Sequence, residues 1–343
     1  MEMVKIKFTT RSPLCQIDTS RVEDGKSRIL IKKLKVNVKN SLGQNIVAET
    51  PVYTANGFRG ALRREAFAIF LEAIAKKGLK NKSGTVMSDI NFHLHNAGGG
   101  NLHQTQPFEI VDEVRELNPL ISLFGASLAV EGKLKVSNLI PFIIDDNGEE
   151  QYYLRETKDG NWMYSPIVGD VTLIKRDGLL IRDENSRYMT VEQIREWQEK
   201  NLENLKNRRD ARDDKTKDKV KKETIASMID REYVCEGVDF YGNISFKSSL
   251  TDIEKGLLYK ALERLSMRSL GSGASNDLGR VDYHINFDDE SDYETKHDKF
   301  GDIDKMKRYS PTVQKCFEAL DDFLAKIELK NIEMDEILVR KKP

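Results

Sequence analysis

Apolar and polar positions alternate with period two at the start of the chain: Val4, Ile6 and Phe8 against Lys5 and Lys7. That pattern predicts a half-buried strand. "SPLCQIDTSRVEDGKSR" has no period and reads as a long loop, and alternation returns through Leu34, Val36 and Val38. The period then changes to helical. Phe58, Leu62, Ala66, Ile69, Phe70, Ala73 and Ile74 form one apolar stripe, which ends in the basic, glycine-bearing "KKGLKNKSG". "HNAGGGNLHQTQ" reads as a loop, because three consecutive glycines weaken any regular element. "NPLISLFGASLAVEGKLKVSNLIPFII" reads as a short apolar element, a turn, and a strand through Leu134, Val136 and Leu139.

The last third repeats the alternation of strand and helix. Val238, Phe240, Ile244 and Phe246 predict a strand, and "TDIEKGLLYKALERL" a capped amphipathic helix. Val281, Tyr283 and Ile285 predict a further strand, and "SPTVQKCFEALDDFLAKI" a closing helix. Between these halves, residues 145–234 differ in composition. "VTLIKRDGLLIRD" reads as a hairpin turning at Asp177-Gly178. The mixed-charge stretch from Thr190, with a capping box to Gln193, reads as a solvated helix with too little apolar content for a core. Without the insertions the order is strand, helix, strand, then strand, helix, strand. This is the ferredoxin-like α+β pattern, which is also that of RNA-recognition domains. The expected organisation is a first half-palm at 1–144, an insertion at 145–234, and a second half-palm with a C-terminal helix at 235–343.

Charge narrows this little. The 343 residues carry 55 Lys and Arg against 56 Asp and Glu, so any basic surface must be local. Three dispersed cysteines with no CxxC point to a reducing compartment. No apolar run approaches membrane-spanning length and no secretory leader is apparent, so a cytoplasmic protein is expected, with no membrane partner.

Candidate chemistry concentrates in three places. In "TANGFRGALRREA", Arg59 and Arg63 lie one turn apart, off the apolar stripe, and are expected to face solvent or a ligand; Asn56, Gly57, Arg59, Arg63 and Arg64 are candidate phosphate contacts at a helix start. As a plain amphipathic helix, the same stretch would simply be a solvated basic face. "GSGASNDLGR" contains GxGxxN, but it follows a helix and precedes a strand, which excludes a dinucleotide fold; Arg268, Gly271, Ser272, Gly273 and Ser275 remain candidates for a close backbone approach to phosphate. Around the triple glycine, Gly98, Gly99, Gly100, Asn101 and Gln104 suit nucleotide contacts. His93, His95 and His103 lack the carboxylate or cysteine that would complete a zinc set, so no metal and no cofactor is expected. No GxSxG, P-loop or HExxH occurs.

Three stretches, in this order, resemble the RAMP superfamily of CRISPR proteins: "YTANGFRGALRREAF", "NPLISLFGASLAVEGKLKVSNL" and "EGVDFYGNISF…LLYKALERLSMRSLGSGASNDLGRVDYHI". Within it the chain is similar to the backbone ("Cas seven") subunit, type IV first and type III second. The resemblance implies an RRM-like palm that holds guide RNA, and a thumb hairpin within residues 165–234. On that thumb, Lys175 and Arg176 would meet guide or target, and Leu173, Ile174 and Leu179 would wedge a base step. It implies as partners a CRISPR guide RNA, a DNA or RNA target, other copies of the chain in a helical filament, and other Cas subunits. No enzymatic activity is expected in a type IV-like subunit. The type III alternative makes Asp18, in the first loop, a target-RNA-cleaving residue, but the glycine-rich "IGxG"-like sequence expected beside it is absent.

Overall fold

The computed structural model describes residues 3–18, 28–39, 45–81, 84–98, 106–127, 129–144, 150–152, 154–156, 162–164, 168–176, 192, 196, 199, 226–272, 277–298 and 301–338. The strands are β1 (Met3–Thr10), β2 (Arg28–Ile29), β3 (Lys33–Lys39), β4 (Asn45–Pro51), β5 (Leu134–Val136), β6 (Ile140–Ile144), β7 (Glu150–Tyr152), β8 (Leu154–Glu156), β9 (Trp162–Tyr164), β10 (Val168–Arg176), β11 (Ala226–Val234), β12 (Asp239–Phe246), β13 (Val281–Asn286), β14 (Asp292–His297) and β15 (Ile303–Arg308). The helices are α1 (Ala55–Lys77), α2 (Asp89–Ala97), α3 (Phe108–Leu117), α4 (Pro119–Phe124), α5 (Asp252–Leu265), α6 (Pro311–Lys326) and α7 (Asp335–Leu338).

The chain divides into two compact units. One contains residues 1–17, 31–169 and 233–343; the other contains 18–30 and 170–232. The larger is built on a mixed-length sheet in the order β15-β14-β13-β1-β12-β6-β7, with β5 also paired to β12. Its central order, β13-β1-β12-β6, together with the sequence β1-α1-β5/β6-β12-α5-β13, is the ferredoxin-like arrangement within an α+β fold. β1 sits at the centre because alternate residues Val4, Ile6 and Phe8 are fully buried while its flanks pair antiparallel with both β12 and β13. Phe8 stacks on Phe240 at 4.8 Å and meets Tyr283 and Tyr53 at about 6 Å. Phe58, Leu62 and Phe70 of α1, with Leu257, Leu258 and Leu262 of α5, complete the core. Each such side chain contributes about 1.5–3 kcal/mol of burial.

Local signals explain the helix ends. Thr54 caps α1 by accepting from Gly57 N–H, and α1 stops where Gly78 turns left-handed behind Lys76 and Lys77. Thr251 and Glu254 form a reciprocal capping box on α5, and Glu254 also holds Lys133 at 2.8 Å. α5 and α6 approach closely at Gly256, where a Cβ would stand 2.1 Å from the Cys316 carbonyl oxygen.

One expectation changes. The stretch read as a loop from His95 onward is helical up to Ala97, because Ser88 caps α2 and only Gly98 (φ 90°) ends it. β14 and β15 extend the sheet through a polar stretch that shows little periodicity. In the smaller unit, the described partner of β10 is β11, which in turn pairs in parallel with β2. The expected turn at Asp177-Gly178 and the capping box at Thr190 and Gln193 lie outside the described residues. Glu192, Glu196 and Glu199 are helical and exposed.

Candidate nucleic-acid interface

The two glycine-bearing sites, far apart in sequence, meet in the larger unit. The segment after β1 runs between them. At one end, Gln16 brackets the start of α1: its Nε2 donates to Thr54 Oγ1 at 2.6 Å and its Oε1 accepts from Thr54 N–H at 2.7 Å. At the other, the Cys15 carbonyl accepts from Ser272 N–H at 2.8 Å and from Ser272 Oγ at 3.3 Å. Tyr53, immediately before the α1 cap, accepts from Gly271 N–H at 3.3 Å through its hydroxyl. Gly271 is required twice over. Its φ is 75°, and a Cβ there would lie 2.3 Å from the Cys15 oxygen. Burial raises the pKa of Tyr53, against the opposing pull of the Gly271 hydrogen bond and the Arg64 charge. The start of α1 and the Gly271–Ser272 turn are therefore joined through buried Tyr53 and the Cys15 carbonyl.

The arginines sort differently from expectation. Arg64 is exposed, and so is Asn56 at the helix start. Arg268, three residues before Gly271, is 63% exposed and pairs loosely with Glu65 at 3.4 Å. Arg59 is half-buried, with Nη2 donating to the Phe124 carbonyl at 2.5 Å; desolvation lowers its pKa. Arg63 does not face solvent. It is 8% exposed, and donates from Nε to the His95 carbonyl and from Nη2 to those of Leu94 and Gly125, all at 2.7 Å. These carbonyls lie at the C-terminal ends of α2 and α4; that of Leu94 also accepts from Gly98 N–H at 3.1 Å. The expectation that Arg59 and Arg63 share an open face is thus corrected for Arg63. The apolar stripe is wider than its aliphatic residues suggest, because α2 covers the Arg63–Phe67 flank, where Phe67 stacks on His95 at 5.5 Å. Gly98 belongs to the same knot, since a Cβ there would lie 2.9 Å from Arg63 Nη1.

His95 is likewise internal. Its Nδ1 bonds the Asn91 carbonyl and its Nε2 the Asn118 amide, both at 2.7 Å, so neither nitrogen is left for a metal. Burial, with Arg63 nearby, pushes its pKa down to about 4. Asn118 continues to the Asn331 carbonyl at 2.7 Å, and Asn91 to Asp335 at 2.6 Å, which ties the C-terminal segment to α2 and α4. His93 is exposed, and His103 lies outside the described residues. Among the described residues, His284, Asp292 and Glu294 could bring three ligand atoms within 4.8 Å of one another, but Arg308 and Lys296 already pair with the two carboxylates.

No family model matches the chain, and no curated protein matches it. Among solved structures it is similar to a chain of a Type IV-B CRISPR complex, with 14% identity and a TM-score of 0.45, over 83% of this chain and 90% of that one.

The remaining candidates are placed as follows. Gly99, Gly100, Asn101, Gln104, Gly273 and Ser275 lie outside the described residues. Lys175 and Arg176 end β10 in the smaller unit, with side chains outside the description, as are those of Leu173 and Ile174; Leu179 lies beyond it entirely. Asp18, also in the smaller unit, is 4% exposed, and its N–H donates to the Leu30 carbonyl at 2.8 Å. No helix among the described residues is long and apolar enough to cross a membrane. The face of the central strands turned away from the core carries Lys5, Lys7, Tyr241 and Asn243. Lys7 lies over the Tyr241 ring at 5.5 Å and stands opposite His284 in register, so among the described residues this face is polar, with Tyr241 and His284 as its rings. Sequence reasoning missed Tyr53 and Gln16 as organisers. Their partners lie 218 and 38 positions away, and no local pattern announces such contacts.

Proposed function

We propose that the chain is a non-catalytic, RNA-binding backbone subunit of a CRISPR interference complex, of the type IV-like kind. In this reading it assembles with further copies of itself and with other Cas subunits along a guide RNA, and presents that RNA to a DNA or RNA target. The observation that carries the reading is the junction of the α1 N-terminus with the Gly271–Ser272 turn through Tyr53 and Cys15, beside exposed Arg64 and Arg268. The Arg64 and Arg268 guanidinium groups at the rim of that junction make a grip on phosphate that ignores base identity. The polar sheet face supports backbone and sugar contacts over stacking. Asp18 has no catalytic role in this account. The test is co-expression with a repeat-spacer array, followed by nuclease treatment of the purified protein. Protected RNA fragments of regular length support the reading, and an RNA-free monomer overturns it.

A further inference from the structure

Just past the end of β1, three donors from two residues converge on one carboxylate. Asp282 Oδ2 accepts from Arg11 Nε at 2.5 Å, and Asp282 Oδ1 accepts from His297 main-chain N–H at 2.8 Å and from its Nδ1 at 3.0 Å. An ionised carboxylate has only acceptors, so Nδ1 carries the proton, and in the neutral ring Nε2 is then a fixed lone-pair acceptor. Nε2 has no partner among the described residues, and the ring is 9% exposed. Arg11 is 48% exposed and uses only Nε, which leaves both Nη groups to a ligand.

Arg280 stands beside this group. Its carbonyl accepts from Arg11 N–H at 2.8 Å and from Ser12 N–H at 3.3 Å, while its own N–H donates to Ser12 Oγ at 2.9 Å. Arg280 Nη2 pairs with Asp277 at 2.9 Å, and its Nε has no partner among the described residues. The same segment continues through Pro13, whose carbonyl accepts from Gly279 N–H at 2.9 Å, to Cys15 and the Gly271–Ser272 turn. Residues 11–16 reach at most about 20 Å, and the Arg11 group and the α1 start lie at the two ends of this segment.

We infer that Arg11, Arg280 and His297 form a ribonucleotide subsite: the two guanidinium groups hold a phosphodiester, and His297 Nε2 accepts a hydrogen bond from the ribose 2′-hydroxyl. The inference rests on the RNA-binding reading and adds to it a means of preferring RNA to DNA. Deoxyribose offers no donor at that position and leaves the imidazole acceptor unsatisfied. A purely structural His297 would need only its Nδ1 contact to Asp282. His297→Asn separates the two roles, since its amide places an N–H near the Nδ1 position and nothing at Nε2.

The experiment measures binding of the full chain to ribo- and deoxyribo-oligonucleotides of one sequence by fluorescence anisotropy, with thermal melting of each variant as a control. The wild type is expected to prefer RNA roughly tenfold, the value of one hydrogen bond. His297→Asn should bring the two affinities together, and His297→Gln, which restores a polar group at the Nε2 position, should recover part of the preference. Arg11→Gln and Arg280→Gln should weaken both strands alike, each by several-fold at low salt. An unchanged RNA-to-DNA ratio in His297→Asn, or unchanged affinities in both arginine variants, would overturn the subsite while leaving the RNA-binding reading intact. A wild type that binds neither strand removes that reading and the subsite with it.

Discussion

Replacing Arg63 with alanine tests whether the arginine pair on α1 is a ligand grip or a structural pin. The guanidinium donates three hydrogen bonds to the carbonyls of Leu94, His95 and Gly125, in a pocket where both Leu94 and His95 are at most 1% exposed. The Leu94 carbonyl keeps the Gly98 N–H at 3.1 Å, so the change strands two buried acceptors at about 1–3 kcal/mol each, or roughly 4 kcal/mol in all. Against that stands the cost of holding a charge there. Desolvation pushes the Arg63 pKa from 12.5 down to about 10, and at about 1.4 kcal/mol per pH unit its removal returns some 3 kcal/mol. The net expectation is a loss of about 1 kcal/mol. That is a small part of the 5–15 kcal/mol typical of a folded domain, so the variant should stay folded. Urea unfolding followed by circular dichroism gives the change in midpoint, and RNA affinity is then measured on the folded fraction. The reasoning fails if Arg63→Ala unfolds at the wild-type midpoint while its RNA affinity drops.

His95 makes stability depend on acid. The ring stays neutral in the folded chain down to about pH 4 but titrates near 6.5 when unfolded, so the unfolded state binds more protons in between; stability should fall by about 3 kcal/mol as pH drops through that window, and His95→Gln should flatten the dependence seen in urea midpoints against pH. Tyr53→Phe keeps the ring and removes the acceptor for Gly271 N–H, so hydrogen exchange at that amide should speed up severalfold with little change in melting temperature. Thr251→Ala removes one arm of the α5 capping box and should cost about 1 kcal/mol in chemical unfolding, with RNA affinity unchanged.

The parts of the fold that could be read in advance are those whose burial follows one clear period. β1 shows Val4, Ile6 and Phe8 inward, α5 is announced by Thr251 and Glu254, and α6 carries Val313, Phe317 and Leu320 at helical spacing. β15 is an edge strand exposed along nearly its whole length, so nothing in "IDKMKR" alternates strongly enough to mark it. α2 was hidden because the glycines that end it colour the residues before them. The site was legible in outline. Its glycine turn and its helix start were both visible as motifs, and they do meet. The role of Arg63 was not visible, because counting apolar residues puts any arginine on the outer face, and its partners are main-chain carbonyls that carry no sequence signature. Arg11, Asp282 and His297 come together only through pairing of β1 with β13 and of β13 with β14, which no local stretch encodes.

The central claim is that Arg64 and Arg268 grip an RNA backbone without reading its sequence. The most direct measurement is the salt dependence of binding to several unrelated single-stranded RNAs, for the wild type and for the Arg64→Ala/Arg268→Ala variant. The account predicts similar affinities across sequences and, in the variant, a uniform weakening, with the slope of log affinity against log salt shallower by roughly 1.4, about 0.7 for each lost phosphate contact. An unchanged slope in a folded variant, or affinities that vary by sequence while the arginines make no difference, would contradict it.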